Sequence, residues 1–370
     1  IWGIKMEELK IGIVGIGIIG KKHIQNFAKK KISGARIAAA CDRNPDNRTW
    51  AQKTLDDAVI FDDFTEMLSS DIDAVLIATP HCFHPEMVIS ALKQDKHVLV
   101  EKPVGVYAKN VKAMNEYAQK SNKVFSIVFS QRVSPIYQKV KEYIDEKLLG
   151  RIHRIHYTAT DWYRTQAYYD QAEWRGTYGG EGGGVLINQA PHQLDLLQWI
   201  FGVPEKVYAK CINGKHHRIE VEDEVHAIFE YGDSLLCTFI ASTGEYPGEN
   251  KLEIYGDRGR IIVSDTTFTY IELSDAISLF TFESEADKSP VEVISHKQEI
   301  CDKLNYQAVL TQNFIDAVLH GDRLIAEGVD GILSLEMSNA CYLSSWQNRC
   351  VDIPVNEDLF YQELQERMQG

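Results

Sequence analysis

Ile11-Gly12-Ile13-Val14-Gly15-Ile16-Gly17-Ile18-Ile19-Gly20 is the stretch from which the architecture of the chain can be read. Its first four residues are an apolar run, and the next six are a G-x-G-x-x-G loop leading into the helical spacing of His23, Ile24 and Phe27. Strand, glycine loop and helix in this order make the phosphate-binding turn of a dinucleotide fold. The first glycine permits the tight turn, the second lets a pyrophosphate approach the backbone, and the third lets helix and strand pack closely. A second apolar run, Arg36 to Cys41, ends at Asp42, 22 residues beyond Gly20, where an acid accepts hydrogen bonds from the adenosine ribose hydroxyls. With these parts in register, Gly15, Ile16, Gly17, Ile18, Ile19, Gly20 and Asp42 read as a nicotinamide dinucleotide site and not as a flexible apolar turn. Asp42 repels a 2′-phosphate and so favours NAD, while Arg43 beside it could pair with that phosphate and keeps NADP open.

Further runs follow at Ala74 to Thr79, His97 to Val100 and Val124 to Phe129. Several are nearly all apolar, as in strands buried on both faces of a parallel sheet. Helical signals lie between them. Pro85 opens one ahead of Met87, Val88, Ala91 and Leu92, and Ala108 to Gln119 carries Val111, Met114 and Ala118 at helical spacing. The expected fold is α/β, beginning with a Rossmann doubly wound parallel sheet over residues 6–130.

Beyond residue 130 the pattern changes. A helix is expected over Pro135 to Lys147, with Ser134 as cap and Gly150 past its end. Strands then alternate, as Val225, Ala227, Phe229 and Tyr231 do against Glu224, His226 and Glu230. Tight turns at Tyr231-Gly232-Asp233-Ser234 and Gly256-Asp257-Arg258-Gly259 link them, and helices return at Asn305 to His320 and Asp330 to Gln347. Residues 131–370 therefore read as an α+β domain with a mostly antiparallel sheet.

Composition bounds the function. The 370 residues suit two domains, and 44% hydrophobic with 25% charged residues is ordinary for a globular chain. The 53 Asp and Glu against 39 Lys and Arg leave a charge of −14, which argues against nucleic acid and anionic membranes as partners. The longest uncharged apolar stretch, Ile11 to Gly20, is too short to span a bilayer and lacks the form of a signal peptide. Seven scattered cysteines without a C-x-x-C read as reduced thiols in a cytoplasm. Ile1 to Lys5 precede Met6 and are set aside.

Glu101-Lys102-Pro103 directly follows the run His97 to Val100. Ligands of such sheets bind beyond the carboxyl ends of the strands, so a lysine there can stabilise the alkoxide that develops as hydride leaves a carbon. Taken alone, it is also the pattern of a solvated lysine beside a loop proline. Gly15-x-Gly17-x-x-Gly20, Ala78-Thr79-Pro80-x-x-x-His84 and Lys96-His97-Val98-Leu99-Val100-Glu101-Lys102-Pro103, in this order, closely resemble the Gfo/Idh/MocA oxidoreductase family. The likeness continues through Gly182-Gly183-Gly184-Val185-Leu186-Ile187-Asn188-Gln189-Ala190-Pro191-His192-Gln193-Leu194-Asp195. With Arg132 and Pro135 between, it covers nearly the whole chain. The resemblance implies a C-terminal domain with a large open sheet, homodimers or homotetramers formed through it, and oxidation of a sugar or cyclitol hydroxyl by nicotinamide. It also implies cofactor contacts at Thr79, Pro80, His84, Glu101, Lys102 and Gln131.

Read physically, a helix should begin near Ile187 to Gln189 and run to Phe201, with Gly202 as its stop. Ala190, Leu194 and Leu197 would face the core, and Asn188, His192 and Asp195 would lie on another face. Positive helix-end potential favours a neutral imidazole at His192; spacing alone leaves a catalytic and a structural histidine equally open, and the resemblance implies the catalytic one. Many relatives carry Asp where this chain has Asn188. An amide positions a hydroxyl but takes no proton, so acid–base work rests on His192 and Lys102.

Aromatics and arginines concentrate in 161–178. Trp162, Tyr163, Arg164 and Arg175 are candidate substrate contacts beside Lys102, Asn188 and His192, with a domain rim or subunit contact as the other reading. No metal is expected at His81-Cys82-Phe83-His84, which has no partner ligands at spacing. Tyr137 with Lys141, and Tyr143 with Lys147, are chance dyads on a polar-faced helix, and His216-His217 reads as a solvated turn. The expected activity is nicotinamide-dependent interconversion of a secondary hydroxyl and a ketone. The alternatives are an NAD-dependent redox-cycling glycosidase and a non-catalytic NAD-binding regulatory protein.

Overall fold

In the computed structural model, residues 8–232, 234–285, 287 and 291–369 are described. Met6 and Asp233, which belong to the expected first domain and the expected 231–234 turn, lie outside them.

Six strands make the first sheet: Leu9–Val14 (β1), Ala35–Cys41 (β2), Val59–Phe61 (β3), Ala74–Ile77 (β4), His97–Val100 (β5) and Phe125–Ile127 (β6). Their order is β3-β2-β1-β4-β5-β6, parallel throughout. The doubly wound sheet is thus as expected. All four residues of β4 and the last three of β5 are buried, which explains their unbroken apolar runs. Helices Ile18–Ala28, His84–Lys93 and Ala108–Lys120 follow β1, β4 and β5. β4 stops at Ile77, before Thr79, and β6 is shorter than its apolar run. The sequence reading passed over β3 and the helices Pro45–Thr54 and Phe64–Leu68. β3 is a three-residue edge strand with no fully buried residue, and Pro45–Thr54 buries only Ala51, so neither carries a strong apolar period.

The second sheet holds nine strands: Ile152–Ala159 (β7), Lys206–Asn213 (β8), Glu222–Tyr231 (β9), Leu235–Ser242 (β10), Asn250–Gly256 (β11), Gly259–Ser264 (β12), Thr267–Leu273 (β13), Val293–Glu299 (β14) and Val351–Asp352 (β15). The order is β14-β13-β12-β11-β7-β10-β9-β8-β15, with only β7 and β10 paired in parallel. Burial alternates along β12, where Ile261 and Val263 are inside and Arg260, Ile262 and Ser264 are half-buried. The helix Pro135–Asp145 lies against this sheet; its Tyr137 is buried, with its hydroxyl 3.2 Å from that of Tyr157. The polar-faced helix thus also has a buried side, formed by Ile136, Tyr137 and Val140.

The chain divides into two compact units. One runs to Val133 and takes in Leu304–Leu335; the other is Ser134–Lys303 with the segment from Glu336 onward. A single cut near 130 misses this return. Within the first unit, Asn305 Nδ2 donates to Asn26 Oδ1 at 2.8 Å, and Arg132, 3% exposed, pairs with Asp330 at 2.9 Å. Each of these contacts joins residues some 200 to 280 positions apart, and no local signal reports such pairing.

Candidate cofactor and substrate sites

Each glycine of the first loop serves a different steric need. Gly15 has φ +87°, and a Cβ there would sit 2.5 Å from the Ala78 carbonyl oxygen. A Cβ on Gly20 would lie 1.9 Å from the Gly15 carbonyl oxygen, so helix and strand meet without room for a methyl group. Gly17 alone faces open space, with nothing within 4 Å of its Cβ position, at the cap of the helix Ile18–Ala28. Open backbone at a helix N-terminus fits a pyrophosphate. Ile18 and Ile19 are exposed beside it, while Ile16 is buried.

Asp42 lies just past the end of β2, as expected. Its Oδ2 accepts from the Ile16 amide at 2.6 Å and from Asn47 Nδ2 at 3.2 Å, and its Oδ1 accepts from the Asn44 amide at 2.8 Å. The carboxylate thus ties the second strand to the glycine loop. With about four lone-pair sites, it keeps capacity for a ribose hydroxyl. Arg43 is exposed, and its carbonyl accepts from Arg48 at 2.8 Å.

Beyond β4 and β5, Thr79, Pro80 and Lys102 are half-buried. His84 is 0% exposed, with Nδ1 2.7 Å from the Pro103 carbonyl and Nε2 2.8 Å from that of Thr79. Burial pulls its pKa below the ordinary histidine value, against the pull of the two carbonyls. His84 clamps the two strand-end loops together and offers no exposed nitrogen to a bound molecule, which corrects its reading as a direct contact. Glu101 is also turned inward. Its Oε1 lies 2.8 Å from His23 Nε2 and 3.3 Å from Gln307 Nε2, and its Oε2 accepts the Lys102 amide at 3.2 Å. His23 and Gln307, which brace the backbone that carries Lys102, were not singled out from the sequence. His23 lies three residues past Gly20, a weak cue, and Gln307 returns from a distant segment. Gln131 is half-buried in the turn Ser130–Val133.

In the second unit, the glycine-rich lead is pressed by its neighbours. A Cβ on Gly184 would lie 1.8 Å from the Glu222 carbonyl oxygen, and one on Gly183 would lie 2.1 Å from the Tyr342 hydroxyl. The buried Glu222 carboxyl accepts the Gly184 and Leu186 amides and the Tyr342 hydroxyl, the last at 2.7 Å. Burial raises its pKa to about 7. The single helix expected from residue 187 is two: Val185–Asn188, then Pro191–Phe201, where the missing N–H of Pro191 is harmless in the first turn. Asn188 ends the first and His192 stands in the first turn of the second, half-buried. Ala190, Leu194 and Leu197 are core, as read. Asp195 is fully buried and accepts from Gln198 at 2.7 Å, so it belongs to the interior and not to a polar face.

Around Asn188, the structure gathers residues that the sequence leaves scattered. Asn188 Nδ2 donates to the Tyr168 hydroxyl at 3.3 Å and to the buried carboxylate of Glu181. An aspartate at 188 would set two carboxylates together, which accounts for the amide. Arg175 donates to the same Tyr168 hydroxyl at 2.6 Å. The guanidinium groups of Arg164 and Arg175 lie 4.7 and 4.5 Å from the Tyr168 ring centre, and Arg164 also lies 5.6 Å from that of Trp162. Tyr163 instead is exposed against Tyr246. Tyr168 and Glu181 were missed, one among many tyrosines and the other an isolated acid. The His216-His217 turn is corrected: the His217 side chain is 5% exposed, with Nδ1 2.9 Å from Asp223 and Nε2 2.9 Å from the Arg164 carbonyl.

A parallel 3-2-1-4-5-6 sheet with an acid after its second strand and a loop open at Gly17, followed in the chain by a nine-stranded mixed sheet, defines a two-part, Rossmann-type nicotinamide oxidoreductase. Residues 9–129 match the oxidoreductase family with an NAD-binding Rossmann fold, and residues 137–262 match the GFO/IDH/MocA C-terminal domain. The chain belongs to the Gfo/Idh/MocA oxidoreductases, and NAD is the cofactor. It is 24% identical over 351 residues to the myo-inositol 2-dehydrogenase of Thermotoga maritima, spanning 93% of this chain and 98% of that one. To the levoglucosan dehydrogenase of Pseudarthrobacter phenanthrenivorans it is 24% identical over 315 residues, 76% of this chain and 79% of that one. The crystal structure of the WlbA dehydrogenase from Bordetella pertussis, in complex with NADH and UDP-GlcNAcA, superposes with a TM-score of 0.79 at 26% identity, covering 94% of this chain and 100% of that one. No helix among the described residues is long and apolar enough to cross a membrane.

Proposed function

We propose that the protein is an NAD-dependent dehydrogenase that interconverts a secondary hydroxyl and a ketone on a sugar, sugar derivative or cyclitol. The observation that carries this reading is Lys102 two residues past the end of β5, at the carboxyl end of a parallel sheet whose glycine loop is open at Gly17. Support also comes from the relatives, named for myo-inositol and levoglucosan or solved with a nucleotide sugar; all three molecules carry ring hydroxyls.

Bound NAD supplies the hydride acceptor. Gly15, Gly17, Gly20 and the amides opening the helix Ile18–Ala28 would hold its pyrophosphate, Asp42 its ribose, and Thr79, Pro80 and Gln131 would border the nicotinamide. His192 takes the substrate hydroxyl proton. The Lys102 ammonium steadies the oxygen as negative charge grows on it, a stabilisation confined to the transition state. Asn188, held by Glu181, orients a neighbouring hydroxyl and moves no proton.

A screen of NAD and NADP reduction over inositols, aldoses, glycosides and sugar acids tests the reading. A ring polyol should give net NADH formation. Glycoside cleavage without net NADH, or no turnover across the panel, would overturn it. The seven cysteines are unpaired, which supports a reducing cytoplasm as the location. Homo-oligomers through the second sheet are part of the same proposal: Tyr208, Ile228 and Leu236 lie exposed on the adjacent strands β8, β9 and β10.

A further inference from the structure

Two arginines beside Asn188 lack the counter-ions that the chain's composition would make easy to supply. Among the described residues, no carboxylate oxygen lies within 4.0 Å of the Arg164 or Arg175 guanidinium, although acids outnumber bases by 53 to 39. Arg132 and Arg367, by contrast, pair with Asp330 and Glu363 at 2.9 and 3.2 Å.

Neither arginine is a loose surface chain. The Arg164 amide donates to the Thr243 carbonyl and its own carbonyl meets His217 Nε2, both at 2.9 Å. Its Nη1 donates to the Tyr163 carbonyl at 3.2 Å, and its Nε is buried with no hydrogen-bond partner. Arg175 gives one N–H to the Tyr168 hydroxyl at 2.6 Å, leaving most of its five donors unspent. Both guanidinium groups lie against the one Tyr168 ring. Two like charges against one ring, partly out of water, repel each other, and a bound anion would screen that repulsion. The Tyr168 hydroxyl accepts from Arg175 and from Asn188 Nδ2, so its accepting capacity is used and its proton remains to be given. Unspent N–H groups and an unspent O–H thus collect next to Asn188, four residues before His192.

We propose that the substrate carries an anionic group, a carboxylate or a phosphate, bound by Arg164 and Arg175 with a hydrogen bond from Tyr168. Guanidinium forks match both groups geometrically. This site rests on the dehydrogenase reading for its position beside the reacting hydroxyl, and its test is separable from that reading.

Binding of D-glucuronate, D-glucose 6-phosphate and D-glucose to the NADH-loaded protein is measured by isothermal titration calorimetry. One of the two anions should bind about tenfold or more tighter than glucose. Glucuronate and glucose 6-phosphate distinguish the two sources. Arg164→Gln and Arg175→Gln should each reduce that preference about tenfold, Tyr168→Phe should reduce it severalfold, and Arg175→Lys should keep part of it. An NADH titration of each variant confirms that the chain is folded. Equal binding of all three sugars, binding of none, or a preference that survives in the double variant overturns the anion site. NAD reduction by the same sugars is recorded in parallel. Anion-selective binding without turnover on any ring polyol would sink the dehydrogenase reading and leave the anion site standing; turnover without anion preference would do the reverse.

Discussion

Lys102 and Glu222 show how differently single residues can be read. Lys102 is legible because the proposed chemistry calls for a cation near the end of β5, a position that an apolar run followed by Glu-Lys-Pro marks in the sequence. Replacing it by Ala should lower turnover on the accepted polyol by about 10²- to 10⁴-fold, while NADH titration still shows saturable binding; near-normal turnover would remove it from the mechanism. Glu222 gives no such mark. Its importance arises from burial, which raises its pKa from 4.5 to about 7 against the lowering pull of the Gly184 and Leu186 amides and the Tyr342 hydroxyl that donate to it. Between those two pH values the folded chain holds a proton that the unfolded chain has released. The contribution of Glu222 to stability therefore falls as pH rises through that window, being fully present below about 4.5 and lost through about 7. Thermal melts between about pH 5 and about pH 8 should show a decline in the wild type that Glu222→Gln flattens. Parallel profiles would show that Glu222 does not set the slope. Asn188 sits between these cases: its type was read, but the reason for it, the buried Glu181 carboxylate, was not.

Among the elements, the glycine loop was read most fully, because all its requirements are local. Turn, close approach and open backbone lie within six residues, and a strand and a helix flank them. The Gly20 position leaves a methyl group 1.9 Å from the Gly15 carbonyl oxygen, so Gly20→Ala must displace the helix Ile18–Ala28 from the loop. Affinity for NADH, followed by fluorescence titration, should weaken by about tenfold or more, and unchanged affinity would show that the loop adapts. Weakly periodic elements escaped notice for the complementary reason. β3 and Pro45–Thr54 bury too little to impose a pattern. The helix expected through Asn188 and His192 breaks at Gln189 and Ala190, since Pro191 opens a new first turn. His84 has an ordinary place in its motif, yet packing makes it a clamp between the Thr79 and Pro103 carbonyls.

On the scale of the whole molecule, net charge weighs against tracks for polyanions, yet a locally cationic pair survives around Tyr168 in a chain of charge −14. The exposed apolar residues of β8, β9 and β10 bear on assembly. Tyr208 is paired with Ile228 across β8 and β9, and Ile228 with Thr238 across β9 and β10. Burying that face between copies would contribute about 25 cal/mol for each Å² of apolar surface removed from water. Ile228→Glu should therefore shift the protein to a smaller species in size-exclusion chromatography with light scattering; an unchanged mass would place the contact elsewhere.

Short-range spacing was enough to establish the parallel sheet, the dinucleotide loop, Asp42 after β2 and Lys102 after β5, because each depends on residues close along the chain. Only the folded chain brought Leu304–Leu335 back to the first unit, buried His84, Glu101 and Asp195, and assembled Arg164, Tyr168, Arg175, Glu181 and Asn188. Those groupings rest on contacts between separated segments, whose strength comes from desolvation and hydrogen-bond geometry. Neither quantity is defined until the distant segments meet.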